Sequence, residues 1–173
     1  MIKVPKKLEK YFKKEWDSIP ISSHLEMQVL ELLVAYYYKR TLKPAESDNA
    51  IENLRVVHHV SLMDNDLAIK LCRLRDRDNR SICFEQAIKK YKRKIRTERV
   101  DRLKTILDEF RNVTKEIKTT RDTKIAHFSK KYDGTMPEYE DYEVGIEKAV
   151  QFVDELKGKK CEYYLFDMNL RQH

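Results

Sequence analysis

Glycine and proline are nearly missing from this chain, with three and four copies in 173 residues. A sandwich or barrel of short strands needs turn residues in number, so that class is disfavoured. Leu, Lys, Glu and Arg are plentiful and favour helix. No apolar run approaches the ~20 residues of a membrane span, so no membrane-crossing segment is expected. The start, Met1-Ile2-Lys3-Val4-Pro5-Lys6-Lys7, is basic but lacks the apolar core of a signal segment. The expected location is the cytoplasm. Cysteine is also sparse. Cys72, Cys83 and Cys161 are odd in number and far apart, with no CxxC pair among them. No Cys/His cluster has zinc-like spacing. His58 and His59 are adjacent, so a helix points them to different faces and they make a poor metal pair. The expectation is inert thiols, no metal site and no cofactor.

What is present is charge, at 38% of residues, on an apolar background of 41%. The length fits one domain over residues 1–173 with a core of its own. The expected fold is all-α, an antiparallel helical bundle with additional short helices. Its core would span about residue 20 to 157, and 158–173 would be a tail.

Lys6 to Trp16 reads as a first amphipathic helix carrying Leu8 and Phe12. Ser22 or Ser23 would cap a second, with Glu26 at capping-box spacing from Ser23. There Leu25, Val29, Leu32 and Tyr36 follow the 3.6 period, and Leu30, Leu33, Val34 and Tyr37 widen the stripe. Two of Tyr36, Tyr37 and Tyr38 are expected in the core. Lys43-Pro44 ends this helix and Ser47-Asp48 starts the next. That one runs to about Arg77, with Met63-Asp64-Asn65-Asp66 as a candidate split. Arg73 to Asp78 alternates in charge and suits an ion-pair network. Phe84, Ala87, Ile88 and Tyr91 mark a short helix. Val100, Leu103, Leu107, Phe110 and Ile117 form a heptad-like seam, expected to pack along the Leu25–Tyr36 helix. Asp133-Gly134 is a turn signal. Tyr142, Ile146, Ala149, Val150, Val153 and Leu156 mark a last helix, stopped at Gly158.

The net charge is +7, and its distribution is uneven. Lys89, Lys90, Lys92, Arg93, Lys94, Arg96, Arg99, Arg102 and Lys104 face only Glu98 and Asp101. From Asp133 to Glu155 the sign reverses, with a lone Lys148 among the carboxylates. A basic band can follow a phosphate backbone. A solvated helix face is the alternative, and the acidic segment could dock on the band within the chain or across a dimer.

One stretch concentrates reactive chemistry: Arg121-Asp122-Thr123-Lys124-Ile125-Ala126-His127. Arg is always charged and presents a planar donor fork that suits phosphate. His exchanges a proton near neutral pH. Together they suit phosphodiester cleavage, one moving protons and the other neutralising charge on the phosphorane oxygens. On an ideal helix the two sit ~120° apart around the axis. They converge only through an irregular backbone or through a second chain. The alternative is a cation near a helix end and a satisfied polar histidine.

In these residues the chain resembles the HEPN superfamily, all-helical domains marked by an Arg, a polar residue directly after it and a His a few residues on. The Arg-Asp-x-Lys-x-Ala-His form is similar to HEPN proteins of the abortive-infection type in prokaryotic defence and toxin systems. Asp66-Leu67-Ala68-Ile69-Lys70-Leu71-Cys72-Arg73-Leu74-Arg75-Asp76, followed by Ser81, is similar to a second, less specific piece. The resemblance covers about residue 20 to 157. It implies a metal-independent endoribonuclease that acts as a homodimer. Arg121 would stabilise the scissile phosphate, and His127 would be the general acid or base for attack by the ribose 2′-OH. Asp122 would orient one of them. Lys124 would contact phosphate, and Lys89, Lys90, Lys92, Arg93, Lys94 and Arg96 would bind RNA. RNA, a second copy and a cognate antitoxin are the partners implied. In antitoxin-regulated HEPN toxins a Tyr lies two residues after the His. Here that position is Ser129 and the nearest Tyr is Tyr132, so that mode of inactivation does not carry over. Other HEPN domains are non-catalytic and bind RNA or a protein.

Overall fold

The computed structural model describes residues 19–41, 50–77, 82–125, 137 and 139–161, without the side chains of 124, 125 and 139. The expected helix at Lys6–Trp16, the Pro44 stop, the Ser47-Asp48 start and the Asp133-Gly134 turn lie outside these residues. So do Ser81 and most of the tail. Helix makes up 85% of what is described and strand none, so the fold is all-α.

Four long helices build it: α1 (Ile21–Thr41), α2 (Ala50–Arg75), α4 (Thr97–Val113) and α6 (Tyr139–Lys157). Two short ones, α3 (Phe84–Tyr91) and α5 (Lys115–Thr120), join them, and a π-helical turn spans Arg121–Ile125. Direction follows from the side-chain pairs. Glu26 and Lys39 of α1 meet Lys157 and Tyr142 of α6, so α1 and α6 run antiparallel. Lys39 also pairs with Asp64 of α2. Glu109 of α4 meets Lys148 of α6 at 2.6 Å and Arg102 meets Glu155 at 2.9 Å, again antiparallel.

The core is the expected set of stripes. Leu25, Val29, Leu32, Leu33 and Tyr36 of α1, Leu67, Leu71 and Leu74 of α2, and Leu103, Phe110 and Ile117 are essentially buried. Phe152 of α6, which periodicity alone did not single out, lies at the centre. Its ring stacks on Phe84 at 4.0 Å, and Phe84 meets Phe110 edge-on at 5.1 Å. Such pairs add specific geometry to the area they bury. The last helix stops as expected, because Gly158 takes φ +69, open to glycine at little steric cost.

Several expectations are corrected. α1 begins at Ile21, its first turn closed by the Pro20 carbonyl accepting from Ser23 and His24. Ser22 and Ser23 are therefore inside the helix, and Glu26 goes to Lys157 rather than into a capping box. α2 is one continuous helix, with no split at Met63–Asp66. The α4 seam packs mainly on α6, not along α1. The reason is close approach. A Cβ at Gly145 of α6 would stand 3.0 Å from Thr114 Cγ2, so glycine lets α6 settle against the end of α4. Leu30 and Val34 do not widen the core stripe of α1. They are 38% and 48% exposed, and Ile51, Leu54 and Val57 of α2 are more so.

Replacing Phe152 with Ala should cost about 3–5 kcal/mol. At a few degrees per kcal/mol for a domain of this size, the melting temperature should fall by roughly 10 °C. Thermal unfolding followed by circular dichroism at 222 nm checks this.

Candidate functional site around Arg121

The local sequence explains the irregular backbone here. Thr119, Thr120 and Thr123 are β-branched and poor helix formers. The Thr119 hydroxyl donates to the Lys115 carbonyl at 3.2 Å, and the Thr123 hydroxyl to the Thr119 carbonyl at 2.8 Å. Such bonds to the carbonyl four residues back bend a helix and loosen its ladder. The ladder opens into the π-helical turn at Arg121. π-turns inside helices are rare and recur at functional sites. Arg121 stands where α5 passes into the π-turn. Thr120 is buried, and the Asp122 carboxylate is used elsewhere.

Arg121 is turned toward the end of α2. Its Nη1 donates to Asp76 Oδ2 at 2.8 Å. Its Nε lies 2.7 Å from Asp122 Oδ1, yet this N–H is buried without a well-aligned hydrogen bond. The contact is an ion pair rather than a directed bond. On its other side Asp122 takes a close hydrogen bond from Lys118, one helical turn back. The Arg121 side chain is about 20% exposed. Beneath it sits Cys72, fully buried on α2.

The charges are mutually adjusted. Burial works against the Arg121 cation. Its hydrogen bond to Asp76 and the fields of Cys72, Asp76 and Asp122 outweigh that and hold its pKa above the ordinary value. Burial also raises Asp122, but Lys118 and Arg121 together pull it below the usual carboxylate range. The Cys72 thiol is pushed up to about 11, chiefly by burial, so it stays protonated and unreactive at neutral pH.

The structure brings two of the catalytic candidates together, Arg121 and Asp122. His127 and the Lys124 side chain lie outside the described residues. It also supplies residues that the sequence did not assign to the site: Asp76, Lys118 and Cys72. Asp76 was legible as part of an alternating-charge run but not as the partner of Arg121, 45 residues away. The network continues behind the site. Arg75 Nη2 donates to the Arg111 carbonyl at 3.1 Å, and Arg111 pairs with Glu85 at 2.7 Å. Glu85 also meets Arg77 and Lys89, at 3.1 and 3.0 Å. The Arg111 hydrogen bond, then Lys89, holds its carboxyl below the ordinary range. Within the alternating run, Asp76 and Arg77 therefore serve ion pairs, with Arg121 and Glu85.

The RNA-binding candidates lie apart from Arg121, and they do not share one helix face. Lys89 and Lys90 end α3, Lys92, Arg93 and Lys94 form a turn, and Arg96 is the N-cap of α4. All six are exposed. Among the described residues no His/Cys/Asp/Glu group could hold a metal ion, and no helix is long and apolar enough to cross a membrane. The chain matches no protein-family profile, no curated protein and no solved structure.

Asp122 and Glu85 have lowered pKa values in the folded state. Their stabilisation is present above the unfolded carboxylate pKa of about 4 and is lost as pH falls through the lowered values. The melting temperature should be level from pH 7 to about 5 and drop below about 4. Asp122→Asn and Glu85→Gln should each start lower at pH 7 and lose less on acidification. Thermal melts across that range check the sign.

Proposed function

We propose that this chain is a metal-independent endoribonuclease of toxin or phage-defence type, working as a homodimer in the cytoplasm. The observation that carries the reading is the Asp76–Arg121 pair. The two stretches that resemble HEPN proteins, Asp66–Asp76 and Arg121–His127, are far apart in sequence, and Asp76 and Arg121 meet at 2.8 Å. A phosphate-binding guanidinium needs its fork held still. Carboxylates on two sides orient it, as supporting groups orient reactive ones elsewhere.

In this mechanism the ribose 2′-OH attacks the adjacent phosphorus. Its proton passes to a base, and the 5′-oxygen leaves with a proton from an acid. His127 takes one of these roles, and its counterpart in a second copy is the natural candidate for the other. Arg121 offsets charge on the equatorial oxygens. Asp122 restrains Arg121, and Lys124 adds a phosphate contact. Exposed apolar side chains on α1 and α2, among them Leu30, Val34, Tyr38, Ile51, Leu54 and Val57, offer surface that a dimer would bury.

A second reading is favoured by the same ion pairs. Lys118 and Arg121 are balanced by Asp76 and Asp122, so Arg121 can also serve as a latch between α2 and the π-turn. The chain would then be a non-catalytic module that binds RNA or a protein.

Purified protein should cleave RNA with EDTA present. Arg121→Ala should lower the rate by about 10²–10³, and His127→Ala by about 10²–10⁴. Gel analysis of single-stranded and structured RNA checks both. Intact RNA in all three samples would move the assignment to the binding module.

A further inference from the structure

The charge balance around Arg121 raises a question of affinity. A site whose cations are matched by carboxylates pulls weakly on a polyanion. Among the described residues, exposed cations without an ion pair are found elsewhere. Lys94, Ile95, Arg96, Glu98, Arg99 and Arg102 line an open groove of about 640 Å³ where α3 turns into α4. Four of these six are basic.

Arg99 lies over Gly158, its guanidinium nitrogens 2.8 Å from where a Cβ would stand. Arg99 and Arg102 share the single carboxylate of Glu155, at 3.6 and 2.9 Å. That one acid, on α6, holds two forks at the groove wall and neutralises only one of them. Glu98 is the opposing charge in the lining. Lys94 and Arg96 have no ion pair among the described residues, and both are exposed. The N-terminus of α4 opens here with no side-chain cap, adding partial positive charge of the same sign.

The lining also says what kind of polyanion fits. A protein partner is anchored by aromatic and aliphatic side chains in a dry pocket. Ile95 is the one apolar residue here, and it is half-buried. Several forks and an ammonium around an open polar groove suit phosphates, which accept bidentate bonds. Position matters too. Thr114 continues the α4 ladder into α5, accepting from Lys118 at 3.0 Å, so α4 and α5 form a nearly continuous rod. Arg99 and Arg121 are 22 residues apart on it, about 33 Å at 1.5 Å per residue. One RNA touching both would bridge on the order of ten stacked nucleotides.

We propose that this groove is a phosphodiester anchor for RNA, distinct from the Arg121 site and supplying most of the binding energy. The RNA identity rests on the nuclease reading above. The groove itself does not, and the test separates the two. The full chain is titrated into fluorescently labelled 2′-O-methyl RNA, which keeps the phosphates and lacks the attacking hydroxyl, over a series of salt concentrations. The probe cannot be cut, so anisotropy reports binding alone. Lys94→Ala/Arg96→Ala should weaken binding about tenfold and reduce the salt slope by about 1.4, the share of two contacts on a single strand. Arg40→Ala/Arg55→Ala removes the same charge from exposed sites on α1 and α2 and should stay within about twofold of the parent. Equal losses in the two double variants would mean only net charge matters and would overturn the anchor. So would no loss in either, or poly-glutamate competing as well as RNA. RNA held through the groove but never cleaved when unmodified would overturn the nuclease reading and leave the anchor standing.

Discussion

The burial of α6 is the constraint on which the rest depends. Its stripe of Tyr142, Ile146, Ala149, Phe152, Val153 and Leu156 is covered by α1, α2 and α4 together. Phe152 stacks on Phe84 and so ties the short α3 into the same core. Gly145 brings α6 against Thr114, the residue between α4 and α5. That contact sets where α5 lies, and α5 carries Arg121 to the end of α2. The candidate site is thus a consequence of helix packing at one end of the bundle.

Electrostatics divides the molecule in two. At the Arg121 end, cations and carboxylates are paired within a partly buried cluster, where pairing offsets desolvation. Removing one partner there would strand the other. At the α3–α4 corner, cations stay in solvent and are only partly matched, which costs the fold little and leaves them for a ligand. Glu155 of the acidic segment does dock on the basic band, within the chain, at Arg99 and Arg102. The docking is partial, and the exposed end of the band remains positive.

The apolar surface divides as well. The period of α1 was correct for its buried face, yet Leu30, Val34 and Tyr38 continue apolar character onto an exposed one. The first half of α2 does the same with Ile51, Leu54 and Val57. Among the described residues these side chains are left exposed.

The sequence by itself determined the helical class, most buried positions, the Gly158 stop and the ion-pair character of Asp76 and Arg77. Those features depend on local propensity and on a 3.6-residue period, which any single segment carries. It also marked Arg121 and Asp122 as neighbours, because they are adjacent. Only the tertiary structure decided that α4 packs on α6, that α2 is unbroken, and that Asp76 faces Arg121 across 45 positions. It also decided which of the basic residues gather around a groove. Those outcomes depend on which faces meet, and a helix face does not name its partner. Small residues at contact points, such as Gly145, settle that choice by permitting close approach. A one-dimensional pattern records such a glycine only as a weak helix former.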